Sequence, residues 1–549
     1  MEEGNVRLLD SQFAKFLAGR SSLSGEERSR FRELICRLSA GLGSGDSCLP
    51  LSEPERELVT RSGLVGDSAC PLRIFDDRLY LQRVAEYERA LADRIGELLT
   101  LSQPLVADDR LLDLLFGELL AGETDWQRLA AERALEQNFL IITGGPGTGK
   151  TTTVVKILAL LQRASEKELR IALAAPTGKA AMRLQASVSG SLHQLPVADS
   201  LADSIPAQAF TLHRLLGGKR FSPFFQHDAE NPLAYDVVVV DEASMVDLAL
   251  MGKLAAALAP GSRLILLGDE NQLASVETGS VLADMVAVLP ENRVELQKTY
   301  RFEGGIRAFA EAVNRGDSSG GWEILTGESF PTVSLLEEDA AEYGGEIYSH
   351  FMEAALRAGT LADYGALFPL LRSFTILCAL RNGPAGVHAI NGAVEAYLTE
   401  RGYNCLASVW YLGRPVMITG NDYSLDLYNG DVGVCLPDPM HPDRMKVWFE
   451  RGDGRLQGIA PGRISGCETA YGITIHKSQG TEVGEVLVVL PDRSTPLVTR
   501  ELLYTAVTRA TKSVKLKSSH AVFDLAVGSR IVRASGLGMR LGKFLKLLG

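Results

Sequence analysis

Residues 144 to 151 read Gly-Gly-Pro-Gly-Thr-Gly-Lys-Thr, set between the apolar run Phe139-Leu140-Ile141-Ile142 and the helix-forming stretch 152 to 158. A strand, a glycine-rich turn and a helix in that order commit this part of the chain to a layered α/β fold. Gly144, Gly145, Pro146, Gly147, Thr148 and Gly149 allow successive backbone N–H groups to converge on phosphates at the helix N-terminus. Lys150 supplies a point charge near the β and γ phosphates, Thr151 offers a hydroxyl to Mg²⁺, and Thr152 belongs to the same cofactor-binding first turn. A plain Gly-rich turn has no need of Gly-Lys-Thr at the helix start. The loop implies consumption of ATP and leaves the object of that work open.

At 549 residues the chain is too long for one core and is expected to form three or four domains. The net charge of −12 argues against a surface that is basic throughout, so any nucleic-acid contact is confined to a local groove. The seven cysteines form no C-x-x-C pair, which speaks against a zinc site or a disulfide framework and for a reducing cytoplasm. Charges at Glu2, Glu3, Arg7, Asp10 and Lys15 interrupt any signal-like stretch, and no run of about 18 apolar residues occurs. Neither export nor a membrane location is expected.

Residues 10 to 120 carry helical periodicity, broken by loop-rich segments at 41–46 and 61–71, and read as a helical docking module. From residue 139 the pattern changes to short apolar runs at 170–175, 236–240 and 263–267, the mark of a parallel sheet with helical crossovers. A second set begins near 374–380 and returns at 485–490 and 513–516. Residues 408 to 466 are richer in Gly and Pro, with alternating runs at 414–419, 431–436 and 445–450 that suggest a small all-β insertion.

The run 236–240 ends in Asp241-Glu242, two carboxylates at the carboxyl end of a buried strand, where open parallel sheets bind ligands. Asp241 would hold Mg²⁺, and Glu242 would orient and deprotonate the attacking water. An acidic cap opening the next helix is the structural alternative. Gln272, after 264–267, could bond the γ-phosphate and report its loss, although Gly-Asp-Glu-Asn alone is a turn. Arg301, after the strand-like stretch 294–300, and Arg509, at the end of the helix-like stretch 500–510, are either surface ion pairs or arginine fingers from a second domain.

The motifs then fall in a specific order: GGPGTGKT, AAPTGKAA at 174–181, TLHRLLG at 211–217, DEASMVD at 241–247 and LGDENQLASVETG at 267–279. KTYRF at 298–302, GRPVMITGNDYSLDLYNGDVG at 413–433, YGITIHKSQGTE at 471–482 and LLYTAVTRA at 502–510 complete the series. Over roughly residues 120 to 515 the chain resembles the RecD family, the alpha subunits of exodeoxyribonuclease V, helicases of superfamily one with 5′-to-3′ polarity. The resemblance implies an α/β fold: two RecA-like P-loop motor domains with parallel sheets, a small SH3-like β insertion in the second, and a helical N-terminal domain. The implied boundaries are 1–120 for the N-terminal domain, 121–300 for the first motor domain, 301–407 with 467–549 for the second, and 408–466 for the insertion.

It also implies residue roles. Gln127 matches the glutamine that reads adenine, and Lys150, Thr151, Asp241, Glu242, Gln272, Arg301 and Arg509 match ATPase positions. Thr177 and Lys179 match a DNA-contact motif, in keeping with the capacity of Thr177 to cap a helix whose N–H groups face a phosphate. His213 and Asn429 fall in motifs assigned to DNA, and Thr474, His476, Lys477, Ser478 and Gln479 match the segment coupling DNA contact to the nucleotide. Tyr423, Tyr428 and Trp448 either stack bases or pack in a core. The basic tail, Arg530, Arg533, Arg540, Lys543 and Lys546, either touches DNA or a partner or forms a solvated helix face.

The implied activity is an ATP- and Mg²⁺-dependent DNA helicase acting on single strands and double-strand ends. Its implied partners are a RecB-like beta subunit, which would carry the nuclease, and a RecC-like gamma subunit. The rival is a stand-alone RecD-like helicase, whose usual longer N-terminal region contrasts with the roughly 120 residues here.

Overall fold

The computed structural model describes residues 6–67, 69–101, 104–117, 124–197, 199–219, 222–298, 304–422, 424–452, 454–493 and 495–548. The four apolar runs of the first motor region form the centre of a six-stranded parallel sheet. Its order is Ala209–Thr211, Ile171–Ala175, Val237–Val240, Arg263–Gly268, Phe139–Thr143 and Arg293–Glu295. Each of the four central strands is buried at every position, which is why they read as continuous apolar runs. The strand ahead of Arg301 is Arg293–Glu295, shorter than the expected 294–300.

A second parallel sheet orders Val333–Leu335, Ala510–Lys517, Val483–Val489, Phe374–Cys378 and Gly472–Thr474. Between Phe374–Cys378 and Gly472–Thr474, the chain builds a five-stranded antiparallel sheet. Its strands are Leu456–Ile459, His441–Glu450, Val432–Asp438, Pro415–Ile418 and Cys467–Thr469. The insertion is thus all-β, and its closing strand lies just past residue 466.

The N-terminal region is mainly helical, with helices Leu8–Arg20, Gly25–Gly43 and Glu53–Arg61. It also holds a small antiparallel sheet, ordered Leu49–Pro50, Arg78–Leu81 and Leu72–Phe75, that helical periodicity did not disclose. The hairpin turns at Asp76, whose φ of 50° is the left-handed conformation that a tight two-residue turn requires. The next helix, Gln82–Thr100, leaves this unit: Leu91, Ala92, Ile95 and Leu98 share a core with Phe139 and Leu264 of the first motor sheet and Leu254 of helix Leu248–Ala257. Leu537 and Leu541 of the final helix, Leu537–Leu548, lie in that same core. The chain therefore ends on its first motor sheet, although the last strand it forms belongs to the second.

Within the N-terminal unit, Asp10 is fully buried and accepts hydrogen bonds from Arg7 Nη2 at 2.8 Å and Ser39 Oγ at 2.7 Å. The Arg7 guanidinium, with these bonds, holds its carboxyl down to about 2. A depressed folded-state pKa gives stability that is present above the unfolded value near 4 and is lost as pH falls toward 2. Asp10→Asn is expected to lower the first thermal unfolding transition of the full chain at pH 7, with the difference from wild type vanishing near pH 2. An equal difference at both pH values, followed by calorimetry, would contradict this account.

Candidate active site

Three glycines of the phosphate loop occupy backbone conformations that other residues rarely adopt, with φ of 148° at Gly144, 79° at Gly147 and 84° at Gly149. At Gly144 a Cβ would also stand 2.8 Å from the Leu296 carbonyl oxygen. The loop closes on itself: Thr148 Oγ1 donates to the Gly145 carbonyl at 2.9 Å, and Lys150 Nζ donates to the carbonyls of Gly144 at 2.6 Å and Gly145 at 3.1 Å. Helix Lys150–Ala164 begins immediately afterwards, with its first N–H groups facing the cleft.

The neighbouring strands add carboxylates at the same edge. Asp241 follows Val237–Val240, and burial together with the adjacent Glu242 pushes its carboxyl well above the usual range, while Lys150 opposes the shift. Glu242 stands at φ 52°, a left-handed conformation that costs a non-glycine residue about 1–3 kcal/mol. Its backbone N–H donates to Asp241 Oδ1 at 2.9 Å. Strain at this position fixes the direction in which the second carboxylate leaves the strand. Asp269, after Arg263–Gly268, accepts from Gln272 Nε2 at 2.9 Å and is raised by burial.

The second sheet completes the cleft. Helix Arg500–Val507 carries Tyr504 and Thr505 and delivers Arg509, which is 2% exposed. Arg509 Nη2 donates to Gln272 Oε1 at 3.1 Å and its Nε to the Thr505 carbonyl at 3.1 Å. Burial lowers its pKa, while Glu242 and Asp269 favour the charged guanidinium. Gln272 therefore joins Asp269 of one domain to Arg509 of the other. Tyr504 Oη donates to Asp269 Oδ2 at 3.2 Å, and the Leu273 N–H donates to Thr505 Oγ1 at 3.0 Å.

The resulting cleft, of about 780 Å³, is lined by Gln127, Pro146, Gly147, Gly149, Lys150, Thr151, Thr152, Asp241, Glu242, Gln272 and Arg509 among others. Arg301 lies outside the described residues. Sequence reasoning missed Asp269, Arg183 and Glu482, which line the cleft, and Tyr504, which bonds Asp269. Arg183 stands four residues after Lys179 on helix Gly178–Leu192 and pairs with Glu482 of the second domain. The i, i+4 spacing from Lys179 was the available signal.

Of the residues expected at DNA, Thr177 caps its helix by accepting from the Ala180 N–H at 3.2 Å. Lys179 Nζ donates to the Gly430 carbonyl of the insertion at 3.2 Å, and burial pushes its pKa down to about 8. The Asn429 N–H, next along that hairpin, donates to Asn421 Oδ1 at 2.8 Å. A Cβ on Gly178 would fall 2.5 Å from the Tyr428 ring, so the insertion sits directly on the start of this helix. His213 is exposed, edge-on to Phe225 at 5.6 Å.

Thr474 ends strand Gly472–Thr474, and His476, Lys477 and Ser478 occupy the single turn that follows. Lys477 pairs with Glu468 at 2.5 Å, Ser478 Oγ donates to the Ile475 carbonyl at 2.7 Å, and burial lowers the pKa of His476. Gln479 Nε2 reaches the Leu273 carbonyl at 3.1 Å, so this turn touches the residue next to Gln272. Trp448 is 6% exposed and packs on Tyr364, which assigns it to the core; Tyr423 lies outside the described residues. The basic tail is not a solvated face throughout, because Arg540 reaches the buried Glu88 at 3.4 Å.

A phosphate loop on one parallel sheet, closed by a buried arginine from a second, defines a tandem RecA-like P-loop motor. Residues 127–278 match the AAA domain family, 469–516 the UvrD-like helicase C-terminal domain, and 2–112 the N-terminal domain of RecBCD enzyme subunit RecD. The chain is 43% identical over 521 residues to RecBCD enzyme subunit RecD of Mycobacterium tuberculosis, covering 92% of this chain and 87% of that one. It is 35% identical over 477 residues to the Haemophilus influenzae RecD subunit, covering 76% and 72% respectively. The ATP-dependent RecD2 DNA helicase of Deinococcus radiodurans is 31% identical over 512 residues, covering 86% of this chain and 62% of the longer relative. The chain belongs to the RecD subunit family.

Proposed function

We propose that this chain is an ATP-dependent 5′-to-3′ DNA helicase and translocase, the alpha motor subunit of a RecBCD-like exodeoxyribonuclease V that processes double-strand ends for recombinational repair. The observation that carries the reading is the polar chain Asp269, Gln272, Arg509, which spans both motor sheets at the phosphate loop. Anything that pulls Arg509 and Gln272 onto a γ-phosphate draws the sheets together, and loss of that phosphate releases them. The contacts of Gln479 and Thr505 with Leu273 link the same step to the turn that would meet the DNA strand.

The residue roles proposed are those the resemblance to the RecD family implies. Gln127 reads the adenine; residues 144–152 cradle the phosphates; Lys150 and Arg509, with Arg301, offset charge developing on the transferred phosphoryl group. Glu242 takes the proton of the attacking water, and Gln272 senses the γ-phosphate. The Thr151 hydroxyl and the Asp241 carboxylate line the same cleft and form an all-oxygen donor set that would hold Mg²⁺, which would supply positive charge to the phosphates. Thr177, Lys179, His213, Asn429, Thr474, His476, Lys477 and Ser478 track a single strand across both motor domains.

We propose the division into an N-terminal docking unit, two motor domains and a β insertion of SH3 type, with helices Gln82–Thr100 and Leu537–Leu548 grouped with the first motor domain and the insertion extended through Cys467–Thr469. RecB-like and RecC-like subunits are the proposed partners, with the nuclease on the beta subunit. Strand displacement on 5′-tailed and 3′-tailed duplexes tests the motor, with unwinding expected from the 5′ tail. Preference for the 3′ tail, or ATP turnover indifferent to single-stranded DNA, would refute it. Purification from cells as a monomer that unwinds DNA fully alone would favour the stand-alone type.

A further inference from the structure

Residues 529–536 run from the second motor domain to the final helix, and their polar contacts reach the second motor domain, the first motor domain and the N-terminal unit in turn. The Ile531 N–H donates to both carboxylate oxygens of Glu501, at 3.3 and 3.2 Å, on the helix that leads to Arg509. Two residues later, the Arg533 guanidinium donates to the carbonyls of Ser275 at 2.8 Å, Gly279 at 3.1 Å and Glu277 at 3.2 Å. The Ala534 N–H then donates to Asp46 Oδ1 at 2.8 Å in the N-terminal unit, whose Gly45 carbonyl also accepts from the Gly279 N–H at 2.9 Å.

Three carbonyls of one five-residue loop thus converge on a single fork of donors. A guanidinium can serve them in one fixed geometry, whereas an ammonium offers only a compact point charge. The loop begins three residues after Gln272, and a cavity of about 310 Å³, bordered by Gln272, Ala274, Ser280 and Arg533, adjoins both of its ends. Thr278 Oγ1 also donates to the Leu42 carbonyl at 3.4 Å and its carbonyl accepts from the Leu248 N–H at 3.0 Å, but among these anchors only the fork reaches three of the loop's carbonyls.

We infer that Arg533 is a positioning residue for Gln272, tying the γ-phosphate sensor to the second motor domain through Glu501 and to the N-terminal unit through Asp46. The inference rests on the proposed role of Gln272 in ATP turnover. Its place in the tail, outside every ATPase motif, accounts for its invisibility to motif reading.

The test is steady-state ATP hydrolysis by the full-length chain with saturating single-stranded DNA. Arg533→Gln and Arg533→Lys are each made alone and with Gln272→Ala, and binding of a fluorescent ATP analogue checks the first motor domain. Arg533→Gln is expected to lower kcat about tenfold with the ATP KM held within about twofold, and Arg533→Lys to recover part of the loss. Added to Gln272→Ala, either change should cost nothing further, because two residues acting through one contact do not multiply. An unchanged kcat, or a loss that multiplies with that of Gln272→Ala, overturns the inference. Wild-type turnover that ignores DNA would instead sink the helicase reading, which separates the two failures.

Discussion

Arg509→Ala is expected to lower the kcat of DNA-stimulated ATP hydrolysis by about 10³ to 10⁵, the range carried by an arginine finger. The ATP KM should change far less, because the phosphate loop belongs to the other sheet and keeps its own geometry. The side chain is buried and bonded to Gln272, so its loss also removes one of the bonds that join the two domains at the nucleotide. Arg509→Lys should recover little, since one ammonium cannot hold the glutamine and meet a phosphate oxygen together. Single-turnover hydrolysis with nucleotide affinity measured in parallel makes the check. A variant with ordinary kcat and weakened binding would mean that Arg509 only grips the nucleotide.

The second large effect is at Lys150, where Gln is expected to reduce turnover by about 10²- to 10³-fold, the loss associated with one preorganised charge at a developing anion. Here Nζ sits on two loop carbonyls, so the substitution also leaves the Gly144 and Gly145 oxygens short of a donor. A thermal midpoint near that of wild type would show that the fold survives. Unwinding should fall in proportion to hydrolysis. Unchanged turnover by this subunit, measured within its purified complex, would refute the mechanism.

The first motor sheet was legible because its central strands are buried on both faces, leaving apolar runs that end in polar residues at one edge. That edge drew attention to Asp241 and Glu242, whereas Gln272, in a stretch that alone reads as a turn, was raised by the order of the motifs. The N-terminal sheet was not legible: strands of two and four residues are too short to show alternation against helical neighbours. Trp448 was ambiguous for a related reason, since an aromatic in a β strand has the same local signature whether it faces a base or, as here, Tyr364.

Chemistry that depends on consecutive residues is written in the chain. The phosphate loop and the carboxylates at strand ends require only local backbone geometry, and local geometry follows from neighbouring residue types. The sequence by itself thereby determined a P-loop fold, an ATP site and, through motif order, the family. Tertiary structure alone decided what closes that site: Arg509 on Gln272, Arg183 on Glu482, Gly430 over Lys179, and Arg533 on the loop after Gln272. These pairs lie 237, 299, 251 and 258 residues apart. No periodicity spans such separations, and only the packing of two sheets and a returning C-terminal helix on one core brings them within hydrogen-bonding reach.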